Sequence, residues 1–212
     1  MSNDHIACCI SIPKCGSKSL LRILGMGNNR DWEGDYRSVS GETSRIIYEN
    51  HQRLSILERH YDLSDKFVFC FVRNPYDRII SWWNFHFKMY FYKKYDTIDM
   101  WINDGCQTHW SIQNKTNWKE EKLTPLLQYN FIDCSDRSPD FIGKMENFEE
   151  DLKEIIVKIN EKLEKKSSVR RMSYTPARSN TSIKYVTELS ISSKEKVYEL
   201  FKKDFIEFGY DK

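Results

Sequence analysis

Two short stretches carry apolar residues without alternation, His5 to Ile12 and Phe67 to Val72 (FVFCFV). Runs of this kind suit strands of a parallel sheet, because such strands meet packed side chains on both faces. Each run leads into a polar turn and then into a helical pattern. After the first, Ser17 to Leu24 predicts a helix that stops at Gly25 and Gly27. After the second, Asn74 is a helix N-cap, Pro75 fits the first helical position, and an aromatic-rich helix is expected to continue to about Tyr95. Two strand-to-helix turns result, and in an open parallel sheet such turns gather at the carboxyl edge of the strands.

The rest of the pattern is coarser. Asn28 to Thr43 is polar and punctuated by glycine, and Ser44 to Tyr61 is mixed, with a helix expected from about His51. Thr97 to Asn103 reads as a short helix, and Leu123 to Ile132 is left unassigned. Asn147 with Glu150 three residues later opens a helix, in which Leu152, Ile155, Ile156, Ile159 and Leu163 define a buried face. Ser192 with Glu195 forms a capping box for a last helix through Phe205. Between these two helices, Lys165 to Lys184 is basic and aperiodic. Its Lys165, Lys166, Arg170, Arg171 and Arg178 are either a solvated charge run or part of an anion lid.

Composition narrows the function classes. A chain of 212 residues, 40% apolar and 14% aromatic, fits one globular domain spanning 1–212 with a substantial core. Lys and Arg (33) nearly balance Asp and Glu (31), for a net charge of +2. There is thus no whole-protein electrostatic case for nucleic acid or a membrane surface, and any anion site is local. The start MSNDHIACCISI lacks a basic region and a signal-peptide core, and no later run is long enough to span a bilayer. A cytoplasmic protein without an anchor is expected, its oligomeric state open. Cys8, Cys9 and Cys70 lie in the apolar runs and read as structural thiols, whereas Cys106 and Cys134 fall in less regular segments where pairing is conceivable. No spacing supports a metal site.

The turn Ile12-Pro13-Lys14-Cys15-Gly16-Ser17-Lys18-Ser19-Leu20 stands where phosphate-binding loops stand, but it is not a Walker A loop. Aligning Lys18-Ser19 on that motif puts Ser17 and Ile12 where its two glycines belong. The general chemistry survives: small residues let backbone N–H groups approach an anion at a helix N-terminus, and Lys14 and Lys18 add charge.

Four separated segments together resemble the sulfotransferases that use 3′-phosphoadenosine 5′-phosphosulfate (PAPS), in the branch of carbohydrate sulfotransferases and their bacterial relatives. They are Pro13-Lys14-Cys15-Gly16-Ser17-Lys18-Ser19-Leu20; Phe71-Val72-Arg73-Asn74-Pro75-Tyr76-Asp77-Arg78 with Ser81 and Trp82; Asp140 to Leu152, built around Ile142-Gly143 and Glu146-Asn147; and Phe201-Lys202-Lys203-Asp204-Phe205-Ile206-Glu207-Phe208-Gly209-Tyr210. Lys18 departs from that pattern, standing where threonine is commoner. The resemblance implies a P-loop-like α/β three-layer sandwich with a central parallel sheet. It also implies transfer of a sulfuryl group from PAPS, without a metal, to a hydroxyl or amine of a carbohydrate or small-molecule acceptor.

The resemblance implies roles as well. Lys14, Cys15, Gly16, Ser17, Lys18 and Ser19 would hold the 5′-phosphosulfate, Arg73 and Ser81 the 3′-phosphate, and Arg178 and Lys184 part of a cover over the nucleotide. Lys14 would also steady the departing phosphate. His51 matches the family's histidine at the start of a short helix and is the candidate base, with Glu49 and His60 as rivals. Two other readings remain at this point: a P-loop kinase using ATP and magnesium, and a non-catalytic PAPS-binding protein.

Overall fold

The computed structural model describes residues 5–24, 46–49, 51–86, 94–107, 126–134, 137–165 and 185–212. Four parallel strands form one sheet in the order β2-β1-β3-β4: β1 (Ala7–Ile10), β2 (Ile46–Glu49), β3 (Phe67–Val72) and β4 (Phe141–Lys144). The helices are α1 (Ser17–Ile23), α2 (Leu54–His60), α3 (Pro75–His86), α4 (Ile98–Asn103), α5 (Tyr129–Ile132), α6 (Phe148–Lys165) and α7 (Ile191–Glu207). This is an α/β fold. The described residues within Met1–Val72 and Phe131–Asn180 make one compact unit, and those within Arg73–Asn130 and Thr181–Lys212 make another.

The sheet lies in the first unit. Every residue of β1 and β3 is buried, as their unalternating apolar sequences predict, and these are its two central strands. The edge strands are less covered: in β2 only Ile46 and Ile47 are buried, and in β4 only Gly143. Gly143 has no room for a side chain, since a Cβ there would stand 2.6 Å from the ring of Phe71 on β3. Phe71 in turn lies 5.0 Å from Phe148, centroid to centroid, at the start of α6. The predicted apolar stripe of α6 is buried at all five positions. Asp151 in its first turn reaches back to accept a hydrogen bond from the Lys144 N–H (2.6 Å), joining strand to helix.

The second unit is helical. Asn74 caps α3, its Oδ1 accepting the Tyr76 N–H at 2.9 Å, and Pro75 is the first helical residue as expected. Trp82 and Trp83 are core residues, Trp83 packing 5.8 Å from Trp101 of α4. Asn84 binds the chain just before α7, donating to the Val186 carbonyl (2.7 Å) and accepting from the N–H groups of Tyr185 and Val186 (2.9 Å each).

Several boundaries differ from the sequence expectation. The N-cap of α7 is Ser190, which accepts the Ser193 N–H, and the helix runs on to Glu207. Ser190 prevails over Ser192 because its hydroxyl also donates to Asp99 of α4 at 2.9 Å, a contact the sequence does not advertise. The helix expected from about His51 begins at Leu54, after a strand that the mixed composition concealed. α3 is described as far as His86, and Gly25, Gly27 and most of the basic segment 165–184 lie outside the described residues.

All six cysteines are free thiols, Cys106 and Cys134 included. Burial raises the Cys9 and Cys70 thiols well above their ordinary range and pushes Cys8 up to about 12. They are packing residues, as read from the apolar runs. Among the described residues no helix is long and apolar enough to cross a membrane.

Candidate functional site

Parallel register brings the ends of β1 and β2 side by side, with Ile10 opposite Glu49. The chain leaves β1 through a tight turn in which the Cys15 N–H donates to the Ile12 carbonyl at 3.3 Å. Pro13 is the second residue of that turn and Lys14, with φ of 67°, the third. A proline followed by a positive φ is the pattern of a type II turn, whose third position favours glycine. Lysine held there costs roughly 1–2 kcal/mol of backbone energy. Strain of this sort collects where a side chain must be aimed.

Gly16 follows with φ of 74°, and its carbonyl accepts the first intrahelical bond of α1, from the Leu20 N–H at 3.0 Å. The backbone donors of the first helical turn, at Ser17 and Ser19 among others, thus face the end of the strand. Gly16, Ser17, Ser19 and Lys14 are all half-buried. Cys15 differs: its side chain is buried, with Sγ 3.7 Å from the Pro13 carbonyl, and its N–H is used by the turn. Lys18 is exposed on α1.

The loop is braced from β4. A Cβ at Gly16 would lie 2.5 Å from Sδ of Met145, the residue directly after β4, and 3.6 Å from Phe148. The Ile142-to-Phe148 stretch therefore has a structural task, supporting the turn that carries Lys14. Gly16→Ala combines a left-handed alanine with a displaced Met145, so destabilisation of about 1–2 kcal/mol is expected, read as a Tm lower by about 2–8 °C in a protein of this size. An unchanged melting curve would contradict this reading of the loop.

The neighbouring strand is likewise followed by a residue of positive φ, His51. It lies two residues after β2, half-buried, with φ of 57°. Its Nδ1 is 2.9 Å from the carbonyl oxygen of Ser11, the residue after β1, and 3.2 Å from the Ser11 hydroxyl, which also bonds Tyr48 at 3.0 Å. A carbonyl can only accept, so Nδ1 carries the hydrogen and Nε2 is the basic nitrogen of the ring. Among the described residues the third non-glycine residue with positive φ is Cys106, which follows Gly105 where α4 ends; helix termination accounts for it. No helix end accounts for Lys14 or His51.

The other two candidate bases are placed differently. Glu49 accepts a hydrogen bond from the Tyr61 hydroxyl at 2.7 Å, and burial, with help from Glu49, pushes that phenol up to about 12. His60 is exposed in the last turn of α2. Sequence reasoning passed over Ser11, whose bonds to Tyr48 and His51 span 37 and 40 residues and follow no periodic pattern.

Arg73 opens the second unit, half-buried, and Ser81 is half-buried on α3. Arg78, from the same motif segment, is directed into its unit's core: it is 1% exposed, donates to the Leu126 carbonyl at 2.8 Å and lies 5.1 Å from the Trp82 ring centroid. Asp204, from the last of the four motif segments, is also buried and accepts the N–H groups of Gln128 (2.8 Å) and Tyr129 (2.9 Å). Burial raises its carboxyl above the ordinary range, opposed by Arg78 and those hydrogen bonds. Arg178 and Lys184 lie outside the described residues. Among the described residues no group of three or more His, Cys, Asp or Glu is gathered as metal ligands would be.

The first strand of this all-parallel sheet ends in a lysine-bearing, glycine-hinged turn at a helix start, and the architecture is that of the α/β class of protein. The sulfotransferase family model matches residues 1–211, and the chain belongs to that family, which is P-loop-like and transfers sulfate groups. The chain is 31% identical over 93 residues to an uncharacterized protein of Archaeoglobus fulgidus, a stretch covering 43% of this chain and 66% of that protein. The match thus spans just under two thirds of the relative's length. No solved structure matches.

Proposed function

We propose that the protein transfers a sulfuryl group from PAPS to a hydroxyl or amine of a carbohydrate or small-molecule acceptor. The observation that carries the proposal is the pair Lys14 and His51. Both are non-glycine residues in left-handed backbone conformations, and they lie in the turns that follow two adjacent parallel strands at their carboxyl ends. A cation and a tautomer-fixed base are the two groups that this transfer requires.

The acceptor oxygen or nitrogen attacks sulfur in line, forming one bond to sulfur while the bond from sulfur to the 5′-phosphate oxygen breaks. His51 Nε2 takes the acceptor's proton. The ammonium of Lys14 and the N–H groups at the start of α1 steady the negative charge that grows on the departing phosphate. Adenosine 3′,5′-bisphosphate leaves. Gly16, Ser17 and Ser19 fit the phosphosulfate end through backbone and hydroxyl donors. Cys15 contributes to the shape of the turn, and Lys18 adds positive charge from the surface of α1. Arg73 and Ser81 are assigned to the 3′-phosphate, for which a planar guanidinium is well suited. Arg178 and Lys184 are assigned to the cover over the nucleotide.

Incubation with sulfur-35-labelled PAPS and pooled carbohydrate and small-molecule acceptors tests the reading. Labelled acceptor should form in step with adenosine 3′,5′-bisphosphate. Label that stays on the nucleotide with every acceptor, although the nucleotide binds, would indicate a binding protein without transferase activity.

A further inference from the structure

The main chain at Arg73 sits just beyond the paired part of β3 and ahead of α3, so neither element supplies its hydrogen-bond partners. Gln128 does. The Arg73 N–H donates to Gln128 Oε1 at 2.8 Å, and Gln128 Nε2 donates to the Arg73 carbonyl at 2.8 Å. The carboxamide thus meets the peptide as a neighbouring strand would, with one donor and one acceptor in a plane. Only Asn and Gln carry that pairing in a side chain, and Asn is one methylene shorter. Gln128 is fully buried, so each of these bonds replaces one that water cannot supply.

The clamp is itself anchored. Both oxygens of the Asp204 carboxylate are used on the chain around Gln128, one on its own N–H and one on that of Tyr129. Asp204 belongs to α7 and is fully buried, with charge-assisted bonds that fix where residue 128 begins. A continuous line therefore runs from α7 through Asp204 and the 128–129 backbone to the Gln128 amide and the Arg73 peptide.

We infer that Gln128 is a positioning residue for Arg73, holding its backbone so that the guanidinium is presented in one orientation to a terminal phosphate. The inference rests on the proposed role of Arg73 at the 3′-phosphate. A guanidinium on a long side chain keeps a bidentate geometry only if its Cα is fixed, and loss of the clamp spreads the side chain over many positions. Asp204 is the anchor of the clamp, which gives the last motif segment a task at the donor site.

Calorimetric titration of the full chain with adenosine 3′,5′-bisphosphate and with AMP, which lacks the 3′-phosphate, separates the possibilities. Gln128→Glu keeps the acceptor for the Arg73 N–H but sets an oxygen against the Arg73 carbonyl; Gln128→Ala removes both bonds. Each should weaken the bisphosphate about tenfold relative to wild type and leave AMP within about twofold. Arg73→Ala should abolish the preference for the bisphosphate. Equal weakening of both ligands by the Gln128 variants would make Gln128 a general structural residue and overturn the inference, as would an unchanged preference while Arg73→Ala removes it. If Arg73→Ala itself leaves the preference intact, the assignment of the 3′-phosphate to Arg73 falls, and the inference with it. Should neither Gln128 variant fold, amide exchange in the wild-type protein decides: Arg73 N–H exchanges as slowly as the interior of α3 if clamped, and as fast as a loop amide if the inference is wrong.

Discussion

Lys14→Ala is expected to lower turnover by about 10²- to 10³-fold, the range found when one preorganised charge-stabilising donor is removed. Its effect on binding of adenosine 3′,5′-bisphosphate should be much smaller. The asymmetry follows from when the charge appears. The phosphosulfate bridge oxygen gains negative charge only as its bond to sulfur breaks, so an ammonium beside it acts chiefly in the transition state. Stability should move the other way in a companion variant. Lys14 has φ of 67°, and Lys14→Gly relieves a left-handed strain of roughly 1–2 kcal/mol. A protein that melts higher and turns over far more slowly would identify a residue kept for chemistry rather than for folding. Equal losses in turnover and product binding for Lys14→Ala would instead reduce it to a docking group.

His51 should show a comparable loss with a different signature. His51→Ala is expected to cut turnover by ~10²-fold or more and to leave donor affinity near that of wild type, because a base touches the acceptor's proton and not the nucleotide. His51→Asn is the sharper variant. Asparagine tolerates positive φ and can still donate toward the Ser11 carbonyl, so the fold should survive while the basic Nε2 is lost. Steady-state rates measured beside thermal melts check both points. Unchanged turnover in either variant would remove His51 from the mechanism, and Glu49 would be the next base to test.

The parts of this account that were legible in the sequence are those with local causes. β1 and β3 are central strands, so their burial on both faces is written as unbroken apolar runs. The start of α3 follows from Asn74 and Pro75 acting on their immediate neighbours. β2 was not legible because an edge strand of four residues, IIYE, shows no distinctive pattern, and His51 was consequently expected in a helix rather than in a strained turn. Arg78 stands in a recognisable motif, but nothing local in the sequence foretells that the Leu126 carbonyl and the Trp82 ring draw it inward. Gln128 is the clearest omission. Its partners Arg73 and Asp204 stand 55 and 76 residues away, and the segment around it has no period to read. The motif segments were recognisable, but the reasons for Gly143, Asp151 and Asp204 within them emerge only from tertiary contacts.

The claim on which the mechanism depends is that the nucleotide donor carries a 3′-phosphate, and thermal shift tests it without knowledge of the acceptor. A ligand that binds only the folded chain stabilises it by RT ln(1 + [L]/Kd), so ~100-fold tighter binding adds about 2.7 kcal/mol at saturating ligand. Adenosine 3′,5′-bisphosphate, without magnesium, should raise Tm well above the values reached with ADP or ATP at equal concentration, and Arg73→Ala should remove most of that advantage. A larger shift from ATP with magnesium than from the bisphosphate would contradict the account and point to a nucleotide triphosphate as the substrate.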